Sequence, residues 1–316
     1  MNLRFVRRND CPCCGSTDLI KKAIVHGRLD STSPEEDLRK GWVGINARTF
    51  FTYYCCAQCK SLRVSEYPDE ETISRLYSNM PANMHNIVST RDQYKNQQGY
   101  ARIITPFINR CFKPLSGLSV LEFGSDCGLL AAGIGELNDT TAWHYTAIEP
   151  NGSVRNKLES ILRRNYSSHE IKGDASALFN GTPPRRYDIV VAIHVFDHIF
   201  AIEELLKSIR KILTKNGFIF FVVHNPRSIV ARTLGRQWPP YCAQHPQLFS
   251  IAGVKAISER TGLKMVQTGR TYNYFSLRMI LEYFGFCLSP LDNIRIKAPL
   301  GNRFYILANN EDEGDD

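Results

Sequence analysis

Two acids and two glycines set the first chemical constraint on this chain. The run Ser119-Val-Leu-Glu-Phe-Gly-Ser-Asp-Cys-Gly-Leu-Leu-Ala131 reads as a buried strand that breaks into a glycine-bounded turn and then a helix, with Glu122 at the strand's carboxyl end. In open α/β sheets, ligands bind outside the carboxyl ends of strands, and glycines let backbone N–H groups approach them closely. The spacing Gly124-x-x-x-Gly128 departs from the G-x-G-x-x-G of dinucleotide sites and turns the reading away from NAD. A second predicted strand, Tyr145-Thr-Ala-Ile-Glu149, also ends in a carboxylate, placed to accept both hydroxyls of a ribose. A third, Glu170-Ile-Lys-Gly-Asp174-Ala175, supplies a carboxylate for the exocyclic amine of adenine. Acids on three consecutive strand ends fit an adenosine-bearing ligand.

Proton transfer needs a group that titrates near neutrality, and histidine does. His194 ends the fourth predicted strand, and His198 lies four residues later in the following loop. His245 stands in Trp238-Pro-Pro-Tyr241-Cys-Ala-Gln-His245-Pro-Gln-Leu-Phe249-Ser250, between the fifth strand and the next helix. Loops at that face of a sheet carry substrates.

Cysteine chemistry forms a separate group. Six of the ten cysteines fall within the first 59 residues in close pairs. Cys11-Pro-Cys-Cys14 and Cys56-Ala-Gln-Cys59 each contain the C-x-x-C knuckle that lets two thiolates reach one tetrahedral zinc. Cys11, Cys14, Cys56 and Cys59 are the best ligand set, and Cys13 or Cys55 could replace its neighbour. Four thiolates fill the coordination sphere, so the zinc would be structural. Residues 15 to 55, between the knuckles, must hold an inserted hairpin or loop. Cys111, Cys127, Cys242 and Cys287 stand alone and read as small buried hydrophobes.

These groups need a scaffold, and the hydrophobic pattern predicts one. Strand and helix alternate from Ser119 to Val223, as in a parallel sheet covered on both faces. Helices are expected over Pro68–Tyr77, with acids in the first turn, and over Asp92–Phe112, as a lid on the cofactor cleft. A helix at Ile251–Thr261 leads into a strand at Leu263–Thr271, and the last strand is Arg303–Ala308. Between those two strands, aromatic-rich Tyr274–Phe286 is expected to be a helix for substrate or dimer contact. The resulting division is a zinc-ribbon-like module over 1–68, a helical linker or lid over 69–112 and the α/β domain with an acidic tail over 113–316.

In order and spacing, the chain from about residue 90 resembles the class I S-adenosylmethionine-dependent methyltransferases. The likeness continues through Tyr187-Asp-Ile-Val-Val-Ala-Ile-His194-Val-Phe-Asp-His198 and Leu213-Thr-Lys-Asn-Gly217-Phe-Ile-Phe-Phe-Val-Val-His224-Asn-Pro226. It implies a Rossmann-like seven-stranded α/β fold, an antiparallel final strand pair and S-adenosyl-L-methionine as cofactor. Carried over by position, Glu122, Gly124, Ser125 and Gly128 shape the methionine pocket with His194, Glu149 takes the ribose, and Asp174 with Ala175 takes the adenine. Asp126 stands where the family often has glycine, and aspartate tolerates positive φ better than most residues.

The zinc module, the Gly-Ser-Asp-Cys-Gly loop and the Tyr-x-x-Gln-His segment together resemble the sugar C-methyltransferases of deoxysugar pathways. That resemblance implies Tyr241 and His245 as an active-site pair, with Gln244 in place of the expected glutamate and Leu248 where a tyrosine is common. No counterpart of that group's extra carboxyl-terminal domain is expected. The reading is therefore a methyltransferase for a small polar metabolite, a sugar, nucleotide sugar or glycan-related acceptor. The alternatives are an RNA methyltransferase that grips phosphates with the ribbon, and a non-catalytic zinc-ribbon scaffold.

Composition bounds the remaining classes. The net charge of +8 is spread thinly and forms no strong basic patch, which argues against nucleic acid as the main partner. Apolar runs such as Gly217–Val223 are too short to span a bilayer, and Met1–Asp10 holds three arginines with no signal-like stretch after them. A soluble, cytoplasmic protein is expected. Five acids in the six residues Glu311–Asp316 read as a solvated tail.

Overall fold

The computed structural model describes residues 4–22, 52–78, 90–179, 185–278, 281 and 294–310. The insertion between the cysteine knuckles falls largely outside the described residues, as do the acidic tail, Cys287 and most of the expected 274–286 helix.

The amino-terminal strands are short. β1 (Phe5–Arg7), β2 (Leu19–Lys22), β3 (Tyr53–Cys56), β4 (Leu62–Val64) and β5 (Glu66–Pro68) form antiparallel pairs β1–β5, β2–β3 and β3–β4. The α/β part follows with β6 (Ser119–Phe123), β7 (His144–Ile148), β8 (Ser168–Lys172), β9 (Tyr187–Ile193), β10 (Leu213–His224), β11 (Gln247–Leu248), β12 (Leu263–Arg270), β13 (Asn273–Ser276), β14 (Arg295–Ala298) and β15 (Asn302–Asn309). Seven of these make one sheet in the order β12-β15-β10-β9-β6-β7-β8. β8 through β10 run parallel by way of β6, and β15 inserts antiparallel beside β10 and β12. This is the Rossmann-like methyltransferase architecture, with the antiparallel ending that the resemblance implies.

Side chains alternate across the sheet with the two-residue period of a strand. Leu121, Phe123, Val190, Ala192, Ile219 and Phe221 pack on one face with the helices Ile202–Ile212 and Ile251–Arg260. Val120, Ile189, Val191, Phe218 and Phe220 pack on the other with Thr90–Cys111, Leu129–Leu137 and Arg155–Asn165. Because both faces are covered, β6 is buried at every position, as parallel strands usually are. The helix Thr90–Cys111 buries Tyr100, Ile104, Phe107 and Ile108 in this core.

Strand order reverses at β6, whose neighbours are β7 and β9, so the crevice between β6 and β9 is the topological switch point where α/β sheets bind ligands. The expected helix beginning at Tyr274 is corrected at its start: Asn273–Ser276 is a strand that pairs with Arg295–Ala298. Aromatic and β-branched side chains suit a hairpin as well as a helix, and the partner lies some twenty residues away, outside any local pattern.

The cysteine-bearing strands do not stand apart. β4 pairs antiparallel with β11, so Gln247 and Leu248, just after His245, complete a four-stranded sheet with β2 and β3. No helix among the described residues is long and apolar enough to cross a membrane.

Candidate active site and metal centre

The turn after β6 is built to approach a ligand. Gly124, Asp126 and Gly128 all have positive φ, 70°, 47° and 80°. A Cβ at Gly124 would lie 2.6 Å from Val195 Cγ2, so the turns after β6 and β9 meet across the switch point only because this residue is glycine. Ser125 is buried behind the turn, its hydroxyl donating to the Glu122 carbonyl at 3.3 Å.

The three acids differ in environment. Glu149 is buried at the end of β7, where its carboxylate accepts from the Asp126 and Asn151 amides, each at 2.7 Å. Burial raises its pKa against those two donors. Each oxygen retains a lone pair, so the carboxylate fits the ribose role with the turn already folded around it. Asp174 is exposed just beyond β8 and caps the short helix Ser176–Phe179 through the Ser176 amide at 2.8 Å and the Ser176 hydroxyl. Ala175 beside it packs on the core. Glu122 is buried beneath the turn, where it accepts from the Tyr145 hydroxyl at 2.6 Å, and burial pushes it up to about 7.

The histidines converge. His194 follows β9 at φ 54°, a strained conformation of the kind that collects at functional sites. Two donors, Tyr100 Oη and Asn302 Nδ2, lie 3.4 Å from its Nε2, so Nδ1 carries the proton and has no hydrogen-bond partner among the described residues. Asp197, three residues on, is fully buried. Its Oδ2 accepts from His224 Nδ1 at 2.5 Å, while Oδ1 has no hydrogen-bond partner among the described residues. His198 Nε2 and His245 Nε2 stand 3.9 and 4.0 Å from the same carboxylate. Burial opposes the Asp197 charge, but His224, His245 and His198 outweigh it and hold the carboxyl well below its usual range.

Burial also lowers His194 and His198 to about 3, and it lowers His224. His245 goes the other way: burial would lower it, but Cys242, Asp197 and the Pro240 carbonyl lift it to about 9. Its Nδ1 donates to Pro240 O at 2.7 Å and lies 3.3 Å from Cys242 Sγ. Cys242, read from sequence as an isolated hydrophobe, therefore touches a site residue. Tyr241 joins an aromatic wall, its ring 5.1 Å from Trp238 and 5.5 Å from Tyr53.

Sequence reasoning named His194, His198 and His245 and missed the residues that join them, Asp197 and His224. Both lie in segments already recognised by resemblance. Their pairing depends on the register of β9 beside β10, in which Ile193 stands opposite Val222 and so sets both strand ends level.

Beside this cluster opens a cleft of about 660 Å³, lined by Asn225, Gly301 and Asn302 on the histidine side. Lys60, Arg227, Arg270 and Arg303 also line it, with no acidic side chain among its described lining residues.

The expected metal ligands come together. The sulfurs of Cys11, Cys14, Cys56 and Cys59 all lie within 4.8 Å of one another, with Cys11–Cys59 at 3.5 Å and Cys14–Cys56 at 3.4 Å. A tetrahedral zinc thiolate site separates its sulfurs by about 3.8 Å, so the four side chains fit that ion. Cys55 turns its sulfur to the Cys56 carbonyl, while Cys13 is buried next to Cys11 and Cys59.

A family described as "Methyltransferase domain" matches residues 94–268. Among solved structures, the pyocyanin biosynthetic protein PhzM is similar at 16% identity and TM-score 0.44, covering 64% of this chain and 53% of its own, so this chain spans about half its length. The CcbJ methyltransferase from Streptomyces caelestis is similar at 12% identity and TM-score 0.44, with 68% and 95% covered. The glycopeptide N-methyltransferase MtfA, complexed with sinefungin, is similar at 15% identity and TM-score 0.44, with 68% and 87% covered. No curated sequence matches the chain. With more than half of its length matched by that family, the chain belongs to the methyltransferase-domain family and carries a class I S-adenosylmethionine-dependent methyltransferase domain.

Proposed function

We propose that the acceptor is a small polar metabolite bearing an anionic group, of the sugar, nucleotide-sugar or glycan-related class, and that the four-cysteine site holds a structural zinc. The observation that carries this reading is the juxtaposition of one buried carboxylate and four histidines with a cleft lined by four cations. Cations without a lining acid favour a phosphate or carboxylate on the acceptor.

Bound S-adenosylmethionine supplies a methyl group on a sulfonium, open to in-line displacement. In this assignment Glu149 holds the ribose, Asp174 with Ala175 meets the adenine, and Glu122, Gly124, Ser125 and Gly128 shape the methionine end. Asp197 fixes His224 in one tautomer by holding Nδ1–H, which leaves Nε2 as the proton acceptor, the arrangement that a carboxylate gives a catalytic imidazole elsewhere. His194 Nδ1–H is a donor without a partner among the described residues, suited to orient an acceptor oxygen or the methionine end. Tyr241 and Trp238 wall the site, and His198 and His245 lie against Asp197.

Labelled S-adenosylmethionine offered to nucleotide sugars, glycans and RNA should label the phosphate-bearing sugars. Label in RNA alone, with binding that collapses steeply with salt, would overturn the assignment. His224→Ala should lower kcat by about 10²–10⁴-fold and leave S-adenosylhomocysteine affinity unchanged.

A further inference from the structure

The same cluster carries a second, unassigned feature. Asp197 Oδ1 is buried without a hydrogen-bond partner among the described residues, in a carboxylate that faces His198 Nε2 at 3.9 Å and His245 Nε2 at 4.0 Å. Those separations are too long for hydrogen bonds. They match the spacing of about 3–4 Å between ligands that share one ion at bond lengths of about 2.0–2.2 Å. One atom from each of the three residues lies within 4.8 Å of the others.

The orientation of His245 adds an independent constraint. A carbonyl only accepts, so the 2.7 Å contact to Pro240 O places a proton on Nδ1. Nε2 is then the atom turned toward the carboxylate, and positive charge, either a second proton or a bound ion, lies between the two. Ligating histidines ordinarily hold their outer N–H on a carbonyl or carboxylate in this way, and Asp197 is likewise steadied by His224.

We propose that Asp197, His198 and His245 bind a divalent first-row transition ion, distinct from the four-cysteine site. Two imidazoles and one carboxylate suit zinc, cobalt(II) or iron(II) and disfavour magnesium or calcium. Three protein ligands leave open positions that an acceptor oxygen would fill. That last consequence rests on the acceptor reading above; the binding itself does not.

The test is a metal count on the full chain. Elemental analysis of protein loaded with zinc and freed of excess should show an equivalent per chain that survives Cys14→Ser and is lost in Asp197→Asn and in His198→Gln. Cobalt titrated into a chain that keeps only its cysteine-bound zinc should bind there with visible bands and no thiolate charge-transfer absorption. Each of the two variants should weaken that binding by more than about 100-fold, beyond the cost of losing an outer-shell partner. His198→Gln guards against misfolding of the buried aspartate variant, and circular dichroism matching the wild type qualifies both. A wild-type chain that takes no ion beyond the cysteine set, or an ion retained in both variants, would overturn the proposal and leave His245 as a protonated partner of Asp197. The count is read without turnover, so a missing ion leaves the methyl-transfer reading intact. Absent S-adenosylhomocysteine binding would strike only that reading.

Discussion

Glu122 shows how one residue ties the site to the stability of the whole fold. Burial pushes its carboxyl from 4.5 up to about 7, although Tyr145 donates to it. A raised acid contributes fully below its unfolded pKa, and that contribution is lost as pH rises through the folded value. The window therefore runs from pH 4.5 to about 7, and the difference amounts to about 3 kcal/mol. Glu122→Gln keeps an oxygen for Tyr145 and removes the charge. Calorimetry should find wild type and variant alike near pH 4.5 and the variant more stable at pH 8; parallel pH curves would contradict the assignment. That Glu122 and Glu149 lie at strand ends was legible in sequence because each follows apolar residues, Val120-Leu121 and Ala147-Ile148, whereas Asp174 follows the mostly polar Ser168–Lys172 and was placed only by its position in the order of strands. Asp197 and His224 were not, since what makes them notable is a bond between residues 27 positions apart.

At the scale of elements, the cysteine module acts as a buttress for the loop that carries His245. β4 pairs with β11, and the Val64 amide donates to Pro246 O at 2.9 Å. The Tyr53 hydroxyl donates to the carbonyls of His245 at 2.7 Å and Cys242 at 3.1 Å. Ser250, which caps the helix Ile251–Arg260 through the Gly253 amide at 2.8 Å, also donates to the Cys59 carbonyl. Losing the cysteine cage should therefore loosen the loop without unfolding the central sheet. Hydrogen exchange of Cys14→Ser should show protection over residues 244–250 falling by at least about tenfold, with β6 and β9 unchanged. Equal protection in both regions would mean that the module is structurally idle. The knuckles were readable because C-x-x-C spacing is local geometry, whereas a two-residue strand such as β11 leaves no periodic signal. The hairpin at Tyr274 escaped for a related reason, since its register is set by a partner some twenty residues away.

For the whole molecule, the sheet gathers its functional parts at one edge. The turn after β6, the acids after β7 and β8, and the cluster after β9 and β10 stand at the carboxyl ends of the parallel strands, and the cationic cleft lies beyond β10, lined there by Asn225 and Asn302. The order of strand types was legible because alternation of strand and helix dictates a parallel sheet; the cleft was not, because its cations come from segments as distant as Lys60 and Arg303. Arg227→Ala and Arg270→Ala should each raise KM for a phosphate-bearing acceptor by about tenfold at low salt, less at high salt, with kcat little changed. An unaltered KM in both would remove the anionic acceptor. Beneath all of this lies the grip on the donor, which calorimetric titration of S-adenosylhomocysteine into wild type and Glu149→Ala tests most directly. Binding of one ligand per chain, weakened by at least about tenfold in the variant, is the result predicted from a carboxylate that accepts two hydroxyls. Equal affinity in the two proteins, or no binding to either, would contradict it.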